Sequence, residues 1–208
     1  MENSMAMSYA TSRETVTGND EVGLVLAAQK GDVSAFNQLV LSYQDRIYNL
    51  TSRLLGDVDL AEDITQDTFL TAYLNLPRFR NGSFRSWLYR IATNACYDEH
   101  RRHKRHPVLS IENESIEEDK ISPLDEFSSP SPIPEMESER HEMEMVVVNA
   151  LNQLEVNQRA IVVLVDLQEL NYDEAAHVLG IPIGTVKSRL ARARLQLQRI
   201  LGNSRDIY

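Results

Sequence analysis

The sequence predicts an all-α chain: two small helical domains joined by a flexible acidic linker, the second ending in a helix-turn-helix. Three observations predict it. Apolar residues recur at three-to-four spacing through the segments on either side of residue 107, the period of a helix with one buried face. Glycines and prolines punctuate those segments, where a left-handed residue or a missing amide stops a helix. Between Pro107 and Pro134 the chain gathers five of its seven prolines, with serines and a run of acids. Such a stretch cannot bury enough apolar area to fold alone.

The remaining composition narrows the class. A chain of 208 residues has room for one large domain or two small ones, and 42% apolar residues can support folded cores. No stretch approaches the apolar run needed to cross a membrane, and no charged start followed by an apolar core marks a secretory signal. The single cysteine, Cys96, excludes an internal disulfide framework and suits a reducing cytoplasm, the expected location. A net charge of −10 is awkward for a nucleic-acid binder, but where the charge sits matters more than its sum.

In chain order, residues 1–19 are polar, lack periodicity and read as a disordered tail. Helical patterning starts near Asp20, with Val22, Val25 and Leu26, and stops at Gly31. Asp32 offers an N-cap for a long helix bearing Phe36, Leu39, Val40, Tyr43, Ile47, Leu50 and Leu54, ended by Gly56. A third helix spans Asp57 to Leu76, with Asp59 and Glu62 at capping-box spacing and Pro77 closing it. Its opening, DVDLAEDITQDTF, carries five acids and no base. The macrodipole favours acids in a first turn, yet these continue to Asp67; on pattern alone a solvated face and a partner surface weigh equally.

The block RFRNGSFRSWLYRIATNACYDEHRRHKRH, Arg78 to His106, sets eight Arg or Lys against Asp98 and Glu99 and interleaves Phe79, Phe84, Trp87, Tyr89 and Tyr97. Ser83 can cap its helix, whose buried stripe is Phe84, Trp87, Leu88, Ile91 and Ala95. Aromatics among arginines suit single-stranded DNA, because rings stack on exposed bases while cations hold phosphates. Trp87, Leu88 and Ile91 read better as core, and Phe79 and Asn94 as contacts. A helix would bring Cys96, His100 and His103 to one side, with His106 nearby. Arg101, Arg102, Lys104 and Arg105 would repel a cation there, and no second cysteine pair completes a zinc site. No metal or cofactor is expected, and Cys96 reads as a small buried apolar residue.

From Pro107 to Met145, twelve Asp or Glu stand against Lys120 and Arg140, so the linker, set at 107–136, accounts for most of the net charge. Helices resume near Glu137, with Met143, Val146, Val147, Ala150, Leu151 and Leu154 on one stripe. Asn157 can cap the next, with Ile161, Leu164 and Val165 inward. Then comes YDEAAHVLGIPIGTVKSRLARARLQLQRIL. Ala176, the turn Gly180 and the anchor Val186 have the spacing of a helix-turn-helix, whose second helix enters the major groove. That helix, from about Ile183, carries Lys187, Arg189, Arg192, Arg194 and Arg199 and buries Val186, Leu190, Ala193 and Leu197. Residues 203–208 read as a tail.

Four motifs in this order, GDVSAFNQLVLSYQDRIYNL, DLAEDITQDTFLTAY, FRSWLYRIATNACYDEHRR and LNQLEVNQRAIVVLVDLQELNYDEAAHVLGIPIGTVKSRLARAR, resemble the extracytoplasmic-function sigma factors. These are the two-domain group of bacterial RNA polymerase sigma subunits. The resemblance covers about residues 20 to 202 apart from the linker. It implies that residues 20–106 dock on core RNA polymerase and open the promoter −10 element, and that residues 137–202 read the −35 element. Asp59, Glu62, Asp63, Gln66 and Asp67 would face the clamp helices of the polymerase largest subunit, and the polymerase flap is a further contact the resemblance implies. Phe79, Arg80, Phe84, Arg90, Asn94, Arg101 and Arg102 would bind and melt the −10 DNA, Phe79 and Asn94 helping to hold a flipped base of the single strand. Thr185, Lys187, Ser188, Arg189, Ala191 and Arg192 would meet double-stranded −35 DNA, Thr185 and Arg189 on phosphates. An anti-sigma factor, often membrane-bound, is the further partner implied; the chain itself inserts in no membrane.

The sequence offers no Gly-rich phosphate loop and no nucleophile–base arrangement, so no enzyme is expected. A stand-alone helix-turn-helix regulator is the main alternative, though it would not need the DLAEDITQDTF and FRSWLYRIATN blocks. A metal-dependent nuclease using Glu62, Asp63 and Asp67 lacks a convergent His or further acid.

Overall fold

The computed structural model describes residues 18–80, 82–105 and 145–205, and the linker and the start of the chain lie outside them. All regular structure in the described residues is helical. Helices α1 (Gly18–Gln29), α2 (Val33–Leu55), α3 (Val58–Asn75) and α4 (Phe84–Arg105) form an N-terminal unit, with a 3₁₀ turn at Leu76–Arg78 between the last two. A C-terminal unit holds α5 (145–152), α6 (Val156–Val162), a π-helical turn (Val163–Leu167), α7 (Tyr172–Leu179) and α8 (Ile183–Arg205).

Helix α2 is the spine of the first unit. Leu39, Tyr43, Ile47 and Leu50 are buried along one face, against α1, α3 and α4. Ala61 and Ala72 are the fully buried small residues that let α3 approach closely. The ends follow local chemistry. Asp32 accepts the Ala35 amide at 3.1 Å, and Gly56, at φ 71°, ends α2 in the left-handed region. The cap of α3 is Asp57, which accepts from the Leu60 amide, and not the Asp59–Glu62 pair; Asp59 already sits within the first turn. Ser83 accepts the Ser86 amide at 3.2 Å, as a cap should.

Two expectations need correction in the second unit. Helix α6 begins at Val156 with Glu155 in the cap position and no side-chain cap bond, so Asn157 lies inside the helix and caps nothing. Helix α8 continues to Arg205, so residues 203–205 are helix and not tail. After α6 the backbone widens into the π-turn, where the Gln168 amide reaches back to the Val163 carbonyl at 2.9 Å. The next residue, Glu169, has φ 56° without being glycine.

The two units also meet, which the sequence did not announce. Helix α4 packs on α7, and α2 on α6 and the π-turn. Arg159 of α6 is 9% exposed and donates to the Leu54 carbonyl in the last turn of α2 at 2.9 Å, and to the Asn152 carbonyl at 2.9 Å. That last turn carries carbonyls without helical partners and the negative end of the macrodipole, a fitting place for a buried guanidinium. Burial lowers the pKa of Arg159, desolvation being the cause.

Candidate nucleic-acid interface

The helix-turn-helix is held by reciprocal capping: Asn171 accepts the Glu174 amide and Glu174 accepts the Asn171 amide, each at 2.9 Å. Gly180, at φ 63°, makes the turn, and the Ile181 amide closes on the Ala176 carbonyl at 3.1 Å. Val186, Leu190 and Ala193 are buried and fix α8 in rotation. In consequence Lys187, Ser188, Ala191 and Arg192 face outward, with Thr185 and Arg189 half-buried beside them. The Lys187 ammonium stands 5.7 Å from the Tyr172 ring centre, a cation–π contact. Arg194 is engaged elsewhere: its Nε donates to Asp166 at 3.1 Å and an Nη makes a second bond to the same carboxylate. This fork raises the guanidinium pKa, chiefly through the hydrogen bonds.

In the N-terminal unit, Gln29 Nε2 pins the loop before α4 by donating to the carbonyls of Leu76 at 3.0 Å and Phe79 at 2.6 Å. The half-buried Phe79 ring lies 5.0 Å from Trp87 and 6.1 Å from Phe84, centre to centre. Phe84 is 3% exposed and stacks edge-on to Tyr43, so it supports the cluster from within the core and is not itself a surface for DNA. Arg80, Arg90, Asn94, Arg101 and Arg102 are exposed. Arg101 pairs with Asp98, and Arg102 with the buried Glu99 at 3.0 Å. The Arg101–Asp98 pair, exposed on both sides, is worth at most ~1 kcal/mol, little enough for a phosphate to compete.

A cavity of about 520 Å³ opens beside the cluster, lined by Arg78, Phe79, Arg80, Gly82, Ser83, Ser86 and Trp87, and on its far wall by Asp173, Glu174 and His177 of α7. Sequence reasoning missed Ser86. Its hydroxyl is buried and has no hydrogen-bond partner among the described residues. Cys96 is buried, and desolvation pushes its thiol up to about 12. His100 and His103 are exposed, His103 lying 3.7 Å from Glu99; His106 falls outside the described residues. No three His, Cys, Asp or Glu of the described residues are arranged to hold a metal ion.

On α3, Asp59, Glu62, Asp63, Gln66 and Asp67 are all exposed. The same face continues into Leu70 and Leu74, 58% and 67% exposed. Acids followed by bare leucines make a surface of mixed character, one that solvent alone does not explain.

A helix-turn-helix with an outward basic face, a second basic face edged by an aromatic cavity, and an exposed acidic–apolar helix together have the make-up of a two-part DNA-binding transcription factor. Residues 39–106 match the family model for sigma-70 region 2 and residues 144–197 that for sigma-70 region 4. The chain is 36% identical to the ECF RNA polymerase sigma factor SigW of Bacillus subtilis, over 83% of this chain and 92% of that one. Among solved structures, CnrH in complex with the cytosolic domain of CnrY aligns with a TM-score of 0.63 at 26% identity, covering 88% of this chain and 97% of that one. The sigma factor RpoE of Bartonella quintana, bound to the anti-sigma factor NepR, gives 0.62 at 29%, covering 82% and 98%. The chain belongs to the ECF sigma factors of the sigma-70 family. It is a transcription initiation factor and not an enzyme.

Proposed function

We propose that this sigma factor docks on core RNA polymerase through the outward face of α3 and reads a promoter at two places. Asp59, Glu62, Asp63, Gln66 and Asp67 supply the charged part of the docking face, and Leu70 and Leu74 its apolar end. In α8, Lys187, Ser188, Ala191 and Arg192 meet base edges of the −35 duplex, while Thr185 and Arg189 hold phosphates. The −10 strand lies along Arg80, Arg90, Asn94, Arg101 and Arg102. A flipped base enters the cavity beside Phe79 and Trp87, where Ser86 offers a hydrogen-bonding group. Unstacking costs a few kcal/mol per base, which such a pocket offsets.

The observation that carries this reading is the exposure of all five docking residues on one chain with two outward basic faces. The acidic linker repels duplex phosphate, so tight promoter binding depends on the polymerase. The domain limits follow from these roles: 20–106 for docking and the −10 element, 107–136 as linker, 137–202 for the −35 element. An anti-sigma factor fits as regulator, since the similar sigma factor RpoE of Bartonella quintana was solved in complex with the anti-sigma factor NepR. No described helix is long and apolar enough to span a membrane, and the cytoplasm is the working compartment.

The test is a binding titration of labelled full-length chain with bacterial core polymerase. Asp63→Lys with Asp67→Lys should weaken binding at least tenfold while helix content stays unchanged. Undiminished binding would remove α3 from the docking role.

A further inference from the structure

Three arginines that the promoter reading leaves unassigned gather in one place. Arg46 and Arg53, with Asn49 between them, recur at helical spacing on one face of α2. Arg85 of α4 joins them around a second cavity, of about 380 Å³. The end of the π-turn supplies the remaining wall through Gln168 and Glu169. That volume is roughly ten times the share of one liquid water, and it falls within the range of small-ligand sites. The wall is held in shape. Tyr89, wholly buried in α4, donates its hydroxyl proton to Gln168 Oε1 at 2.9 Å, and the Arg85 guanidinium donates to the Gln168 carbonyl.

Charge around this cavity is unbalanced. Three guanidiniums meet one carboxylate, that of Glu169. Arg53 donates an Nη to the carbonyl and side-chain oxygens of Asn49 at 3.4 and 3.3 Å, both longer than an ordinary hydrogen bond. The acceptors of Arg53 and Arg85 are neutral, so these bonds leave the positive charge in place. The Nε of each is also buried with no partner among the described residues, and a buried donor left unmet is costly. Arg46 is exposed and the other two are half-buried, so a ligand can reach all three. Guanidinium forks match phosphate oxygens two at a time, and a concave site of one sign concentrates counter-ions. One phosphate, with at most four oxygens, occupies two such forks; the third fork and the room left over call for a second phosphate.

We propose that this cavity binds a small anion bearing a diphosphate group, either free or carried by a nucleotide. Arg46, Arg53 and Arg85 hold its oxygens, and the Asn49 amide adds a neutral donor. The site is separate from the promoter contacts and requires neither DNA nor polymerase.

The test is a calorimetric titration of the full chain with inorganic pyrophosphate, inorganic phosphate and adenosine diphosphate, at fixed ionic strength and without divalent cations. Pyrophosphate should bind at least tenfold more tightly than phosphate. Arg46→Gln and Arg53→Gln should each weaken it at least tenfold, with circular dichroism confirming the fold. Lys30→Gln, which removes the same charge from an exposed position elsewhere, should change it less than twofold. Glu169→Gln removes the one repelling carboxylate and should tighten binding about threefold, a gain that damage to the structure would not produce. Pyrophosphate held no better than phosphate, or weakened equally by Lys30→Gln, overturns the site. Tighter binding of adenosine diphosphate than of pyrophosphate makes a nucleotide the source; equal or weaker binding makes it the free diphosphate. If a 12-nucleotide single strand displaces pyrophosphate and needs both arginines equally, they form a strand-backbone contact and the small-ligand site falls.

Discussion

At the scale of single residues, chemistry and burial assign different work to neighbours that look alike in sequence. Phe79 and Phe84 both stand among arginines, but only Phe79 reaches the cavity wall. Phe84→Ala should therefore cost ~3–5 kcal/mol of unfolding free energy, the usual penalty for a buried aromatic. Phe79→Ala should cost less and instead abolish −10 opening, read as lost permanganate reactivity in the holoenzyme complex. Denaturation midpoints and footprints of the two variants separate these outcomes. Cys96 offers a pH prediction. Its thiol sits at about 12 against an ordinary 9.0, and Tyr97 is likewise pushed up to about 12 from 10.0, both by burial. Folding then holds protons that the unfolded chain would release. The stabilisation is complete below pH 9 and is lost as pH rises toward 12. Native Cys96 should resist iodoacetamide at pH 8 and react on denaturation; rapid native alkylation would contradict its burial. The burial of Cys96 was legible in the sequence, since a lone thiol on a helix packs as a small apolar residue. The roles of Gln168 and Arg159 were not, because each partners a group far away in sequence.

Helices carry their own instructions. Asp32, Ser83, Asn171, Gly56 and Gly180 stop and start the elements where residue type requires. Asn171→Ala should lower stability by about 1 kcal/mol through loss of its half of the capping box, and should loosen α7 beneath α8. Gly180→Ala should cost ~1 kcal/mol or more, because alanine resists the left-handed turn. Thermal unfolding of both variants checks this. What periodicity could not supply is which stripe remains uncovered. Leu70 and Leu74 share a helical-wheel sector with Asp63 and Asp67, away from the buried Ala61, Ile64, Thr68 and Ala72, and the packing of α3 leaves that sector exposed. The π-turn was equally hidden, since one extra residue in a helical ladder leaves no mark on composition.

For the whole molecule, charge is divided by task. The acids gather in the linker and on α3, and the bases on α4 and α8. The two helical units could be read directly, because a change in composition separates them. Their mutual packing could not, because it pairs surfaces on opposite sides of the linker. The free chain should be a poor binder of promoter duplex, and the polymerase-bound chain a specific one. Isolated protein should bind promoter duplex no better than unrelated duplex at physiological salt, with weak binding that falls steeply as salt rises.

The most direct measurement is transcription in vitro from a library of genomic promoters, using bacterial core polymerase with and without this protein. New start sites that share two spaced upstream elements should appear, and should be lost when Asp63 and Asp67 are replaced by lysine. No new start sites, together with specific duplex binding by the protein alone, would contradict this reading and favour a stand-alone helix-turn-helix regulator.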